Sequence, residues 1–104
     1  MFETVAKLSE LPAGRGTVVE AGGYALAVFR AAGEVYAIDN ACPHAEGPLA
    51  EGDLQGSTVY CPWHGWAFDL PSGRCRQGAH VRSYPTRVVG DEVQVDLSGT
   101  RGPD

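Results

Sequence analysis

The chain has 104 residues, 43% of them hydrophobic and 20% charged, a length and composition that indicate one soluble globular domain. Its formal charge of −5 argues against a nucleic-acid-binding protein, because that class needs a basic surface to neutralise phosphates. No apolar run approaches the ~20 residues of a membrane helix, and the N-terminus has no basic segment followed by an apolar one. We therefore expect a cytoplasmic protein with no membrane anchor.

Short apolar or alternating runs between glycines, prolines and asparagines predict an all-β chain of roughly six to ten short antiparallel strands. In chain order the predicted strands are residues 2–7, 17–20, 24–30, 34–39, 58–61, 66–70, 86–89 and 92–97. Glycines at Gly22-Gly23 and at Gly90 predict tight hairpin turns. Residues 98–104 are predicted to be a flexible tail.

Residues 40–73 differ from these flanks because they contain two pairs of metal-ligand residues. Cys42 and His44 form the first pair, and Cys61 and His64 the second, with sixteen residues between the pairs. Thiolate and imidazole both bind transition metals, so the four residues predict either one tetrahedral site or a site divided between two irons. Neither pair has the residues and the spacing of the cysteine pair or the histidine pair of a zinc finger. An odd number of cysteines also argues against a disulfide framework.

The residues around the two pairs make the pattern specific. Residues 42–49, Gly52, residues 61–69 and residues 71–73 together resemble the cluster-binding motif of the Rieske [2Fe–2S] family. The resemblance implies a Rieske-like antiparallel β-sandwich over residues 1–97, with a cluster-binding subdomain inserted at about residues 40–73. It also implies one [2Fe–2S] cluster per chain. Cys42 and Cys61 would hold the inner iron, and His44 and His64 the outer iron near the surface.

A cluster whose ligand positions are all filled has no open site for a substrate, so the resemblance implies an electron carrier and not an enzyme. Our leading interpretation is a ferredoxin that carries one electron from a flavin-dependent reductase to a terminal oxygenase or other redox enzyme. The alternatives within the family are the small subunit of an assimilatory nitrite reductase and a Rieske carrier encoded alone. The alternative from another class is a zinc-stabilised binding module.

Several residues near the motif are interpreted in other ways. Cys75 and His80 lie outside both pairs, and we interpret them as a thiol without a metal role and a loop histidine. Trp66 is expected to pack in the interior, whereas Trp63 either packs or forms a contact surface. For Glu46 and Glu51 two interpretations stay open: they steer a basic partner protein, or they are solvated acids without a binding role.

The reduction potential follows from groups that this motif lacks. Quinol-oxidising members of the family have two extra cysteines that bridge the ligand loops, and a serine and a tyrosine that donate hydrogen bonds to sulfur. The matching positions here are Gly47 and Trp63, and Trp66 and Phe68, so neither the bridge nor the hydroxyl donors are present. Fewer donors stabilise the reduced cluster less.

We therefore predict a potential toward the negative end of the Rieske range, on the order of −150 mV, measured by protein-film voltammetry. A potential above about +100 mV, well inside the range of the hydroxyl-rich proteins, would contradict the argument.

Overall fold

The computed structural model of the chain describes residues 2–31, 33–43, 47–63 and 65–98. Several predictions fall outside these ranges: the ligand roles of His44 and His64, the steering role of Glu46, and residues 99–104 of the predicted tail. The described residues contain ten short strands and two single turns of 3₁₀ helix. All the pairings between strands are antiparallel, which confirms the predicted all-β antiparallel class.

The strands form three sheets. In chain order they are β1 (Phe2–Lys7), β2 (Gly16–Ala21), β3 (Tyr24–Ala31), β4 (Glu34–Asp39), β5 (Asp53–Gln55), β6 (Thr58–Tyr60), β7 (Ala67–Asp69), β8 (Ser83–Tyr84), β9 (Thr86–Val89) and β10 (Glu92–Asp96). The first sheet has the order β1–β10–β9, the central sheet β2–β3–β4–β8, and the small sheet β5–β6–β7. The 3₁₀ turns are Leu8–Glu10 and Leu49–Glu51, and neither of these described helical segments is long or apolar enough to cross a membrane.

Glycine conformation confirms the two predicted hairpins. Gly22 and Gly23 connect β2 to β3 with φ angles of 57° and 83°, in the left-handed region that a tight two-residue turn requires. Gly90 begins the turn from β9 to β10 with a φ of 62°. Because these turns set the register, β2 and β3 pair along their whole length, from Gly16 opposite Phe29 to Ala21 opposite Tyr24.

The central sheet is covered on both faces. Residues 26–29 of β3 are buried without interruption, as expected for a strand between two apolar layers. The outer core joins one face to the first sheet, and its buried members include Leu26, Val28, Val93 and Val95. The inner core joins the other face to the small sheet, and its buried members include Ala27, Phe29, Val59 and Phe68. The segment that contains the metal-ligand pairs therefore packs on a sheet that is itself fixed from behind.

A buried tyrosine joins the two-residue strand β8 to the end of β4. The Tyr84 hydroxyl donates to Asp39 Oδ1 at 2.6 Å, and the backbone N–H of Arg82 donates to Asp39 Oδ2 at 3.0 Å. Burial and the adjacent Asp39 carboxylate raise the pKa of Tyr84 to about 12. Since Asp39 ends the strand that leads into the first metal-ligand pair, this contact fixes where that segment leaves the sheet.

We expect Tyr84→Phe to lower the free energy of unfolding at neutral pH by about 1.5–3 kcal/mol, because it removes a hydrogen bond to a carboxylate. The folded pKa lies above the ordinary value of 10.0, so the contribution of the hydroxyl is complete below about pH 10 and is lost as pH rises toward 12. The difference between wild type and variant should therefore shrink across that window, measured by denaturant unfolding followed by circular dichroism.

The matched control is Tyr36→Phe, which removes the hydroxyl of a half-buried tyrosine that packs against the inner core. This variant should keep the alkaline loss of stability that is expected for the wild type. The same alkaline loss in Tyr84→Phe would contradict the role given to the Tyr84 hydroxyl.

Candidate metal centre

The first cysteine loop, residues 42–47, begins three residues after β4. The backbone N–H of Cys42 donates to the carbonyl of Gly47 at 2.9 Å, and Ala41 pairs with Pro48 immediately outside that bond. The loop is therefore closed at its base by backbone contacts. Its closing residues, Cys42 and Gly47, are both buried although they lie in a loop.

The second cysteine loop, residues 61–66, connects β6 to β7 and is closed in the same way. The backbone N–H of Cys61 donates to the carbonyl of Trp66 at 2.8 Å, and Tyr60 pairs with Ala67 outside it. A further bond runs inside the loop from the N–H of Gly65 to the carbonyl of Cys61, at 2.9 Å. In both loops the cysteine amide thus reaches the carbonyl five residues later, although the two sequence pairs differ in spacing.

Both cysteines belong to the inner core. Cys42 is fully buried and Cys61 is 2% exposed, and neither forms a disulfide, nor does Cys75, the third cysteine in the described part of the chain. Two sulfur donors are therefore held away from water on the same apolar layer. A buried thiolate needs a compensating positive charge, and a metal ion supplies one.

Gly47 allows the two loops to touch. A Cβ atom on Gly47 would lie 2.8 Å from Cys61 Sγ and 3.2 Å from Cδ2 of the Trp63 indole, and the first of these distances is too short for a real side chain. Only glycine therefore lets the first loop approach the sulfur of the second. The buried sulfurs, the two closed loops and this close approach fit a metal centre shared between the loops.

Asn40 positions the first loop, a role that the sequence did not predict. Its backbone carbonyl accepts the N–H of Leu49 at 2.8 Å, and its side-chain Oδ1 accepts the N–H of Ala50 at 2.9 Å. Its own N–H donates to the carbonyl of Ala25 in β3, at 3.1 Å. Asn40 therefore holds the residues before and after the first loop against the central sheet. An asparagine directly after a strand is the sequence signal for a side-chain bond to backbone, although this bond reaches ten residues along the chain.

A third segment lies beside β7 and contains Cys75. This cysteine is buried in the inner core, and its thiol donates to Oε1 of Gln77 at 3.1 Å. The same Oε1 accepts the N–H of Ala67 at 3.2 Å, so Gln77 holds this segment against the end of the second loop. His80 is exposed and pairs with Arg74 in the same segment. That neither Cys75 nor His80 binds metal stays a prediction.

The two tryptophans differ in burial. Trp66 is half-buried and packs against the inner core, which confirms the expected packing role. Trp63 is 57% exposed, although its indole lies against Gly47.

Asp69 fixes the turn that follows the second loop, since its Oδ2 accepts the N–H of Ser72 at 3.2 Å and the Ser72 hydroxyl at 2.7 Å.

Comparison with known proteins agrees with this geometry. Residues 2–89 match the sequence family described as the Rieske [2Fe–2S] domain. The ferredoxin component of a naphthalene 1,2-dioxygenase system from Pseudomonas aeruginosa is 35% identical over 94 residues, which cover 88% of this chain and 90% of the relative.

Two solved structures are also similar. A chain of the complex of reduced oxygenase and oxidized ferredoxin in carbazole 1,9a-dioxygenase has a TM-score of 0.82 and 30% identity, covering 90% of this chain and 91% of that one. A putative NADH-dependent nitrite reductase small subunit from Mycobacterium tuberculosis has a TM-score of 0.85 and 28% identity, covering 91% and 93%.

The role of Asn40 can be tested by comparing two substitutions. Asn40→Ala removes the acceptor for the Ala50 N–H, and we expect a loss of about 1–3 kcal/mol in the free energy of unfolding. Asn40→Asp keeps an oxygen at the same place and should retain most of that stability. Hydrogen exchange at the Ala50 amide should accelerate in the alanine variant and stay slow in the aspartate variant. Equal exchange rates in the two variants would contradict the role given to the Asn40 side chain.

Proposed function

Because the chain belongs to the Rieske [2Fe–2S] domain family, we propose that it carries single electrons from a flavin-dependent reductase to a terminal oxygenase. The observation that carries the proposal is the meeting of the two closed cysteine loops at Gly47, with both cysteines buried in one core. Two loops that meet at one residue and each contain one buried cysteine suit a shared two-iron cluster better than two separate sites.

The proposed ligands are Cys42 and Cys61 for one iron and His44 and His64 for the other. The contacts around the cysteines support their role, and the histidine roles rest on the sequence motif. When bound, a [2Fe–2S] cluster supplies a centre that accepts and releases one electron.

The chain's own residues give that centre its environment. The inner core keeps water from the cysteine sulfurs, and the two closing hydrogen bonds fix the cysteine backbones, so the two cysteine ligands would move little between redox states. All four protein ligands would occupy the metal positions, and none is left for a substrate. The chain is therefore an electron carrier, as are the proteins named as ferredoxin components of dioxygenase systems.

The partners are proposed from the same relatives. A ferredoxin component belongs to a dioxygenase system, and the similar carbazole 1,9a-dioxygenase structure is a complex of oxygenase with ferredoxin. The likeness to a nitrite reductase small subunit favours a second candidate, in which the chain serves an assimilatory nitrite reductase.

We include a cytoplasmic location in the proposal, and a domain over residues 1–97 whose cluster-binding part is about residues 40–73.

Iron and labile sulfide analysis of single-residue variants tests the ligand set. The wild-type chain, purified aerobically, should be brown and contain about two iron and two sulfide per chain. Cys42→Ser, Cys61→Ser, His44→Ala and His64→Ala should each lose most of this content. Cys75→Ser and His80→Ala are the matched controls and should keep it. A colourless chain that contains zinc would favour a binding module instead.

The same preparations test the function in a reconstituted system. With the reductase and oxygenase of a naphthalene 1,2-dioxygenase system, the wild type and both controls should support NADH-dependent product formation, and the four ligand variants should not. A fully loaded chain that transfers electrons only to a nitrite reductase catalytic subunit would replace the leading proposal with the second candidate.

A further inference from the structure

Gln77 holds one peptide group of the second cysteine loop from outside the loop. This group joins Trp66 to Ala67, and its carbonyl accepts the N–H of Cys61 at 2.8 Å, which is the bond that closes the loop. The N–H of the same group, on Ala67, donates to Gln77 Oε1 at 3.2 Å. A peptide group is planar, so the closing bond and the bond to Gln77 are fixed to one rigid unit. Any rotation of that unit moves the acceptor of the Cys61 amide.

The Gln77 side chain is itself fixed by the segment that contains it. The Cys75 thiol donates to the same Oε1 at 3.1 Å, and the N–H of Gln77 donates to the Cys75 sulfur at 3.4 Å. Gly78 then turns the chain with a φ of 99°, and its N–H donates to the carbonyl of Cys75 at 3.0 Å. Because two donors converge on one atom of the Gln77 amide, that atom is the oxygen.

The bond to Gln77 replaces one rung of a backbone ladder between β7 and this segment. The N–H of Asp69 donates to the carbonyl of Arg74 at 2.8 Å. The N–H of Arg76 donates to the carbonyl of Ala67 at 3.1 Å. In a regular antiparallel pair the Ala67 N–H would return to the carbonyl of Arg76, but here it donates to Gln77 Oε1. Since Ala67 is buried, losing this acceptor would leave a costly unsatisfied donor.

The first cysteine loop cannot be held in this way. Its closing bond ends on the carbonyl of Gly47, and the next residue is Pro48. The peptide group between them has no N–H, because proline lacks one. Of the two closing peptide groups, only the one in the second loop has a donor on its far side, and Gln77 provides the acceptor.

We propose that Gln77 is a positioning residue for Cys61 and acts through the peptide group between Trp66 and Ala67. An acceptor on the N–H polarises this group and strengthens its carbonyl as an acceptor, because hydrogen bonds in a chain reinforce one another. The Cys61 backbone is then held more firmly against the inner core. The inference rests on the proposed ligand role of Cys61 and adds a residue, outside the loop, that keeps this ligand in place.

The experiment compares Gln77→Leu with Gln77→Glu in the cluster-loaded chain. Leucine removes the acceptor, whereas glutamate keeps an oxygen on a side chain of the same length. Hydrogen exchange at the Ala67 amide, measured by mass spectrometry, should accelerate about tenfold in Gln77→Leu and stay near the wild-type rate in Gln77→Glu. Cluster loss to an iron chelator should also become about tenfold faster in Gln77→Leu only. The resonance Raman bands of the iron–cysteine bonds should shift in Gln77→Leu and return to the wild-type position in Gln77→Glu.

The matched control is Gln55→Leu. Gln55 is an exposed glutamine of the same small sheet, and its side-chain amide donates to Asp53 Oδ2 of its own strand at 3.1 Å. All three measurements should match the wild type in this variant.

Three results would overturn the inference and leave the proposed function intact. The first is a wild-type rate of exchange and of cluster loss in Gln77→Leu, and the second is equally fast cluster loss in Gln77→Glu. The third is an equal acceleration of exchange at the Ala50 amide, which Asn40 holds beside the first loop, since that would indicate a general loss of stability. A wild-type chain that contains no iron and sulfide would instead contradict the proposed function, and the inference with it.

Discussion

Each cysteine loop is held at its base by one backbone hydrogen bond, from the cysteine amide to the carbonyl five residues later. The rest of the site depends on these two bonds. They direct Cys42 and Cys61 toward the inner core, where both are buried, and they bring the loops into contact at Gly47. A larger residue at Gly47 would meet the Cys61 sulfur, so the closeness of the two loops depends on the absence of one Cβ atom.

The three sheets explain why such short loops keep a fixed position. Because the first sheet covers one face of the central sheet, the other face is a rigid layer on which the loops and the small sheet pack. Gly16 of β2 shows how close this packing is, since a Cβ there would lie 2.7 Å from the carbonyl oxygen of Ala50. Asn40 and Asp39 then connect the first loop to β3 and to β8 through hydrogen bonds. The metal centre is therefore positioned by the whole sandwich rather than by the loops alone.

Most of the fold could be predicted from the sequence, because glycine turns and apolar alternation are local signals. The predicted bounds of β1, β4 and β9 agree with the structure, and the hairpins at Gly22-Gly23 and Gly90 are confirmed. The strand β8 was not predicted, since two residues are too few to show alternation. The strand β5 was not predicted because Asp53–Gln55 contains none of the β-branched or aromatic residues that mark β6 and β7. The roles of Asn40, Gln77 and the Gly47–Trp63 contact were also missed. Each depends on segments that meet only after the sheets have packed.

The central claim is that two histidines and two cysteines share one cluster, and pulsed electron paramagnetic resonance tests it most directly. In reduced protein labelled with ¹⁵N only at histidine, the account predicts two strongly coupled imidazole nitrogens. One coupling should disappear in any loaded His44 or His64 variant, and both should remain in His80→Ala. A reduced cluster with no coupled histidine nitrogen, or one whose coupling is lost in His80→Ala, would contradict the account.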